Sequence, residues 1–263
     1  KKDMIKKIFR IYKEESLEGI KRRLVIRFYL FKFIIWKFFQ RKVVNSYYGV
    51  KLNANYYDAT FKFYMTGTYG DNYWKHIKNK IKPFIFLDIG ANQGLYTLGA
   101  AMNKNCIACF SFEPVSKTFE LLKKNVIVND LSSKCYLINK AITRKSGFYN
   151  ISIKNNHSGV ATLHHRNSLV GETNDNTETI EAISHIELND LITNKDNLGL
   201  IVKIDVEGLE MDVIKELLKT QMAREITEIY FEVDERWVNY SDIEVLLKSN
   251  GYKFFSKTLT DTK

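Results

Sequence analysis

From Pro83 onward, apolar runs alternate with stretches whose apolar residues recur at helical spacing, the pattern of parallel strands joined by crossover helices. Residues 84–88 read as a strand leading to a helix over 93–102, and 106–112 as a strand leading to a helix over 116–129. A third strand at 135–139 opens a hairpin or excursion running through residue 165, and the polar stretch 171–179 reads as a mobile loop. A short strand at 181–187 and a short helix at 188–192 follow. Residues 200–204 are apolar except for Lys203, the mark of a strand buried on both faces. A helix over 209–220, a strand over 228–233 and a helix over 241–249 come next, with Gly251 placed to cap the last helix. Residues 252–257 read as a final strand. The expected fold class is α/β, a mostly parallel sheet with helices on both faces.

Upstream the pattern changes. Residues 1–42 read as helix, where Glu14, Glu15 and Glu18 precede Lys21, Arg22 and Arg23 at helical spacing. Residues 24–39 are the most apolar stretch, but Arg27, Lys32 and Lys37 interrupt it, so it is too short and too charged to span a bilayer. It also lacks the small-residue cleavage site of a secretory signal. Aromatics among Lys and Arg suit a helix lying on anionic lipid, while an extension packed on the domain or on a second copy of the chain explains the same residues. Residues 45–81 hold ten further aromatics, fit for a core or for a lid over a crevice.

Charge sharpens this division. Residues 1–50 contain 14 Lys/Arg and 4 Asp/Glu and so carry the whole net charge of +10, while the remaining 213 residues balance. The expected organisation is a basic helical extension over 1–50 and a catalytic domain over 51–263. Cys106, Cys109 and Cys135 are too few for a disulfide framework and fit a reducing, cytoplasmic compartment. Cys106 and Cys109 are an odd number of positions apart on one strand, which predicts thiols on opposite faces.

Three segments carry chemistry. Residues 84–94 run from strand through a Gly turn into a helix, the arrangement that borders the ligand crevice of an open α/β sheet. Gly90, Asn92 and Gly94 do not form the dinucleotide G-x-G-x-x-G, and Asp88 at the strand tip repels a pyrophosphate. An acid there suits a ligand bearing an ammonium and a sulfonium, which points to S-adenosylmethionine (SAM). Glu113, followed by the strand-stopping Pro114, lies 23 residues after Gly90, close to the spacing at which an acid meets ribose hydroxyls. Asp205 and Glu207, two apart at the end of the strand over 200–204, are candidate catalytic groups. If that strand lies beside the first, Asp88 and Asp205 border one crevice. Methyl transfer is an in-line displacement that needs the acceptor proton removed, by a carboxylate or through a divalent cation held by the pair. A simpler role for Glu207 is to cap the following helix.

The segments Leu-Asp-Ile-Gly-Ala-Asn-Gln-Gly at 87–94, Phe-Glu-Pro at 112–114 and Lys-Ile-Asp-Val-Glu-Gly at 203–208 resemble the FkbM family of SAM-dependent methyltransferases. The resemblance spans roughly residues 50 to 257. It implies the class I, Rossmann-like methyltransferase fold and O-methylation, often of sugar hydroxyls in glycans or natural products. It further implies that Asp88, Gly90, Asn92 and Gly94 hold the methionine end, that Glu113 holds the ribose, and that Asn139 and Ala141 lie near the adenine. The class I sheet ends in an antiparallel pair, of which residues 252–257 supply only one strand, so either the chain is cut short there or the pairing departs from the fold.

His157 follows the third strand, in a region expected to reach the acceptor, and is a third candidate base. The reading that emerges is a cytoplasmic O-methyltransferase acting on a sugar of a surface glycan or its precursor, with the arm as a contact to the inner face of the membrane. RNA ribose methylation using the basic arm is the rival within enzymes. Base methylation lacks its Pro-Pro-aromatic motif or a Cys after Pro, which makes nucleic acid the weaker partner. A SAM-binding module without turnover is the alternative from another class.

Overall fold

The computed structural model describes residues 17–154, 156–160, 175–192, 194, 197–232 and 239–253. It divides into two compact units, Lys1–Asp71 and Asn72–Lys263. In the first, helix α1 (Leu17–Phe38) precedes an antiparallel hairpin of β1 (Val43–Asn45) and β2 (Lys51–Asn53), then helix α2 (Ala59–Thr66). Asp58 caps α2 by accepting from the Phe61 amide, and Gly67 ends it in the left-handed region at φ 74°. Phe33 of α1 is buried against Tyr56 and Phe61. Within this unit Tyr48, Phe61 and Tyr64 are buried as well.

The second unit begins with α3 (Asp71–Lys78) and is built on five parallel strands: β3 (Phe84–Ile89), β4 (Cys106–Phe112), β5 (Cys135–Ile138), β9 (Gly199–Ile204) and β10 (Ile226–Phe231). Their order across the sheet is β10-β9-β3-β4-β5. The chain steps outward from β3 through β4 to β5, then returns to the other side of β3 for β9 and β10. The order reverses between β3 and β9, where open α/β sheets bind ligands. Helices α4 (Leu95–Ala101), α5 (Ser116–Val128), α7 (Glu210–Lys219) and α8 (Tyr240–Ser249) flank the strands.

Alternation within the strands sorts the two faces. Ile85, Leu87, Ile89, Leu200, Val202 and Ile204 point into the main core, with Val213, Ile214 and Leu217 of α7 and Ile243 and Leu247 of α8. The opposite face carries Asp88, Ser111, Lys203 and Tyr230 in one row, in register across four strands. Helix α4 lies on this side and α3 is packed tightly on it, since a Cβ at Gly99 would come within 2.4 Å of the Trp74 ring.

The expected excursion after β5 is a second sheet of three strands: β6 (Ala141–Ile142), β7 (Gly147–Lys154) and β8 (Asp175–Ile183), in the order β6-β8-β7. Residues 175–179, expected as mobile loop, pair with β7 instead. Strand β8 ends at Ile183, sooner than expected, because Ser184 and Glu187 form a capping box that starts α6 (His185–Leu191). The Cys prediction is also overturned. Phe84 pairs with Cys106 and Phe86 with Cys109, the register shifting between Phe84 and Ile85, so the extra residue on β4 cancels the odd offset. Both buried thiols therefore share one face. Burial pushes Cys106 up to about 12, which leaves it an unreactive core residue. The strand expected over 252–257 and the first part of the helix expected from residue 1 fall wholly or largely outside the described residues.

Candidate active site

The Gly turn closes β3 onto the end of β4. The amides of Gly90 and Ala91 both donate to the Phe112 carbonyl, at 3.0 and 2.9 Å. The Asn92 amide donates to Glu113 Oε2 at 2.9 Å, while Glu113 Oε1 accepts from the Val115 amide at 2.9 Å. Asn92 adopts φ 51° and Gly94 φ 90°, both left-handed, so the turn needs Gly or Asn at these points. Three successive turn amides are thus spent on protein oxygens. No amide nest remains there for a pyrophosphate, in accord with the absence of the dinucleotide pattern.

Gly90 is fixed by a closer constraint. A Cβ built on it would lie 1.9 Å from the carbonyl oxygen of Asp205, because the end of β9 passes directly beside the turn. The ladder continues one residue past the strand, the Asp205 amide donating to the Ile89 carbonyl at 3.0 Å. Glu207 then takes φ 53° and Gly208 φ 105°. A glutamate in the left-handed region costs on the order of 1 kcal/mol, and such strain gathers at functional sites. Asp205, Val206 and Glu207 all line the cleft, but Glu207 gets there through this turn and not through strand alternation. Glu210, the first residue of the following helix, accepts from the amides of Val206 and Gly208 and so fixes the turn that carries Glu207.

Under the turn lies Lys203, 3% exposed. Its ammonium is 3.2 Å from Asp205 Oδ2 and 3.5 Å from Asp88 Oδ1, donates to the Gly90 carbonyl at 3.1 Å, and stands over the Tyr96 ring. Burial alone would lower its pKa, but the two carboxylates outweigh that and hold it above its ordinary value. Asp88, fully buried, also accepts from the Thr97 hydroxyl at 2.7 Å, and Thr97 in turn meets Ser111 at 2.8 Å. Burial still raises the Asp88 carboxyl, with Lys203 and Thr97 opposing. One lysine therefore ties Asp88, the Gly turn and Asp205 together across the switch point.

The cleft beside this knot is lined by Gly90, Asn92, Glu113, Pro114, Ala141, Ser158, Asp205 and Glu207 among others. Of the residues singled out from sequence, Asp88, Gly94, Asn139 and His157 do not line it. Asp88 faces α4 from beneath the turn, and Gly94 packs against Leu122, where a Cβ would meet its Cδ1 at 2.4 Å. Asn139 donates to the carbonyls of Glu113 and Pro114 and so holds the β4 end in place. His157 lies one residue before Ser158, whose hydroxyl donates to Asn92 Oδ1 at 2.9 Å. The divalent cation considered for Asp205 and Glu207 gains no support, since no cluster of three or more His, Cys, Asp or Glu fit to hold a metal occurs among the described residues.

Sequence reading missed three contributors. Lys203 stood in the sequence as an interruption of an apolar strand and as the first residue of the 203–208 segment, with no role given to it. Lys140 lines the cleft and pairs with Glu181 at 2.7 Å, and Ser158 arrives from the turn after β7. None has a local signal, because each acts on partners far away in the chain.

Glu113 is buried, and burial pushes its carboxyl up to about 7 against the amides of Val115 and Asn92, which pull it down.

The model of the methyltransferase FkbM domain matches residues 88–254, well over half of the chain. The chain belongs to the FkbM methyltransferase family. Among solved structures, it is similar to the FkbM methyltransferase of Methylobacillus flagellatus KT, with 13% identity, 66% of this chain and 42% of that one covered, and a TM-score of 0.36. It is similar also to a precorrin-6y C5,15-methyltransferase from Geobacter metallireducens GS-15, with 11% identity, 69% of each chain covered and a TM-score of 0.39. A third likeness is to aTrm5 in complex with tRNALeu, at 19% identity, 37% of this chain and 27% of that one, with a TM-score of 0.31. Six of the matched structures, aTrm5 among them, are spanned by this chain over only 27% to 41% of their length. Likenesses of this size are too weak to bear on substrate or mechanism. No curated protein matches. The FkbM chain thus has the class I sheet with helices on both faces, in a family of SAM-dependent methyltransferases.

Proposed function

We propose that this FkbM chain transfers the methyl group of SAM to a hydroxyl, on a sugar of a surface glycan such as capsule or lipopolysaccharide or on its precursor, in the cytoplasm. The observation that carries the reading is the cleft at the switch point, where Glu113, Asp205 and Glu207 face one space while the turn amides are spent. The residues fit the donor. Acids line the cleft instead of a phosphate cradle, and Gly90 lets β9 close against the turn. When bound, SAM supplies an electrophilic methyl on a sulfonium. Gly90 and Asn92 border the methionine end, with Asp88 and Gly94 supporting them from behind the turn. Glu113 takes the ribose hydroxyls, each carboxylate oxygen accepting a hydrogen bond from one of them. Pro114 and Ala141 border the adenine, and Asn139 positions the β4 end.

Asp205 is the base for the acceptor hydroxyl. Lys203 orients its carboxylate, and Glu207, which lines the same cleft, is the next candidate, with His157, beside the cleft-lining Ser158, after it. Asp205→Asn keeps the shape and the Lys203 contact of one oxygen but cannot take a proton. It should lose about 10²–10⁴-fold in turnover while SAM affinity stays within a few-fold. A methyl-transfer assay against nucleotide sugars and lipid-linked glycans, run beside calorimetry with SAM, reads both. Wild-type turnover in the variant removes Asp205 from the chemistry.

Glu113 gives the second test. A hydroxyl donates best to the ionised carboxylate, so binding favours the deprotonated form, and SAM affinity should rise as pH passes upward through about 7. In Glu113→Gln that rise should vanish and affinity at high pH should fall about 10- to 100-fold, the worth of hydrogen bonds to a charged group. A pH-independent affinity in the wild type refutes the ribose role.

A further inference from the structure

Helix α1 presents two faces. At about 100° per residue, Ile26, Tyr29, Phe33 and Trp36 share the inward side, where Tyr29 meets Tyr47 and Phe33 meets Tyr56 and Phe61. On the other side Leu24, Phe28, Phe31, Ile34 and Phe38 fall within an arc of about 120°. These five are each between 56% and 79% exposed. Scattered apolar residues on a surface need no explanation, but five in one stripe on a single helix do.

The charges around the stripe identify what it meets. Lys21 and Lys32 border it on one side and Arg23 on the other, while Arg27 interrupts it. Lys32 lies over the rings of Phe28, Tyr29 and Trp36, an ammonium held at the level of the aromatic edge. A transmembrane role is excluded for this helix, since no helix among the described residues is long and apolar enough to cross a bilayer. A second copy of the chain would bring the same cations face to face, which costs free energy. Acyl chains beneath anionic headgroups satisfy both the stripe and its border.

We propose that α1 is an interfacial helix that docks the protein on an anionic bilayer, with Leu24, Phe28, Phe31, Ile34 and Phe38 inserted and Lys21, Arg23, Arg27 and Lys32 at headgroup level. Failure of this docking leaves the methyl-transfer reading intact, because SAM binding reports on the other unit. The test is co-sedimentation of the full chain with vesicles containing phosphatidylserine and with vesicles of phosphatidylcholine alone. The wild type should pellet with the former, release in high salt, and bind the latter weakly. Lys21→Gln with Arg27→Gln should weaken binding on the order of 30-fold, at about five-fold per cation removed. Phe28→Glu with Phe31→Glu should abolish it, both variants keeping wild-type SAM affinity by calorimetry. Equal pelleting of wild type and variants overturns the docking. So does self-association in sedimentation velocity that Phe28→Glu with Phe31→Glu dissolves, which would give the face to a second copy. Binding of single-stranded RNA through the same residues, with no pelleting on phosphatidylserine vesicles, would give the face to nucleic acid and equally reject the lipid.

Discussion

Lys203→Met should destabilise the protein by about 3–5 kcal/mol at neutral pH, the cost of leaving a buried carboxylate without its counter-ion. Asp88 is fully buried and Lys203 nearly so, so solvent does little to soften the loss. The deficit has a pH signature. Without the ammonium, the folded-state pKa of Asp88 rises further above its unfolded value, so the folded variant binds more protons than the unfolded chain across that window. Its stability relative to wild type then falls as pH rises and recovers as the medium is made acidic. Chemical denaturation followed by circular dichroism, at acid and neutral pH, reads this directly. Adding Asp88→Asn to Lys203→Met should restore part of the stability, because the buried charge is gone. An additive double variant would mean that the two groups do not act as a pair. The same substitution should also loosen the Asp205 carboxylate, which loses the contact at 3.2 Å, and so lower turnover beyond what instability explains.

Gly90→Ala should be the second large effect. The left-handed φ of 75° costs any non-Gly residue about 1–2 kcal/mol, and the new methyl meets a backbone oxygen that cannot rotate away. Overpacking of this kind adds about 1–3 kcal/mol, for a total of roughly 2–5 kcal/mol. Relief requires the β9 end to move, which carries Asp205 and Glu207 out of register with the turn and should abolish measurable SAM binding. Gly251→Ala is the matched control. Gly251 has φ 91° and open space around its would-be Cβ, so it bears the backbone cost alone. Equal losses of stability in the two variants would show that the approach of Asp205 to the turn is not tight in solution.

These two substitutions mark where sequence reading reaches and where it stops. The strand–turn–helix at Gly90, the acid at Glu113 and the Asp205–Glu207 pair were legible, because each is written in adjacent residues with a local backbone demand. So was the order of elements from β3 to α8. The place of β9 beside β3 could be stated only conditionally, since strand pairing is set by contacts more than a hundred residues apart. Lys203 shows the gap most clearly. In the sequence it is one charge in an apolar run, which reads as an imperfection of the strand. Only pairing of β9 with β3 sets it level with Asp88 and turns the imperfection into the ion pair that joins two motifs. Asp88, too, was legible as the acid at the strand tip, while its partners Thr97 and Lys203 came only from the fold.

The cysteines teach the same point in reverse. Counting by twos along β4 is sound only while the ladder is regular, and one extra residue between Cys106 and Ala108 was enough to invert it.

The sequence by itself determined the α/β class, the family, the three chemical segments and the basic amphipathic character of the arm, because propensity, periodicity and turn chemistry are local. The tertiary structure alone decided which acids face the cleft, which lysine holds them and which side of α1 stays bare. Those outcomes depend on the register of parallel strands and on which helix covers which face, and both are fixed by the packing of residues distant along the chain.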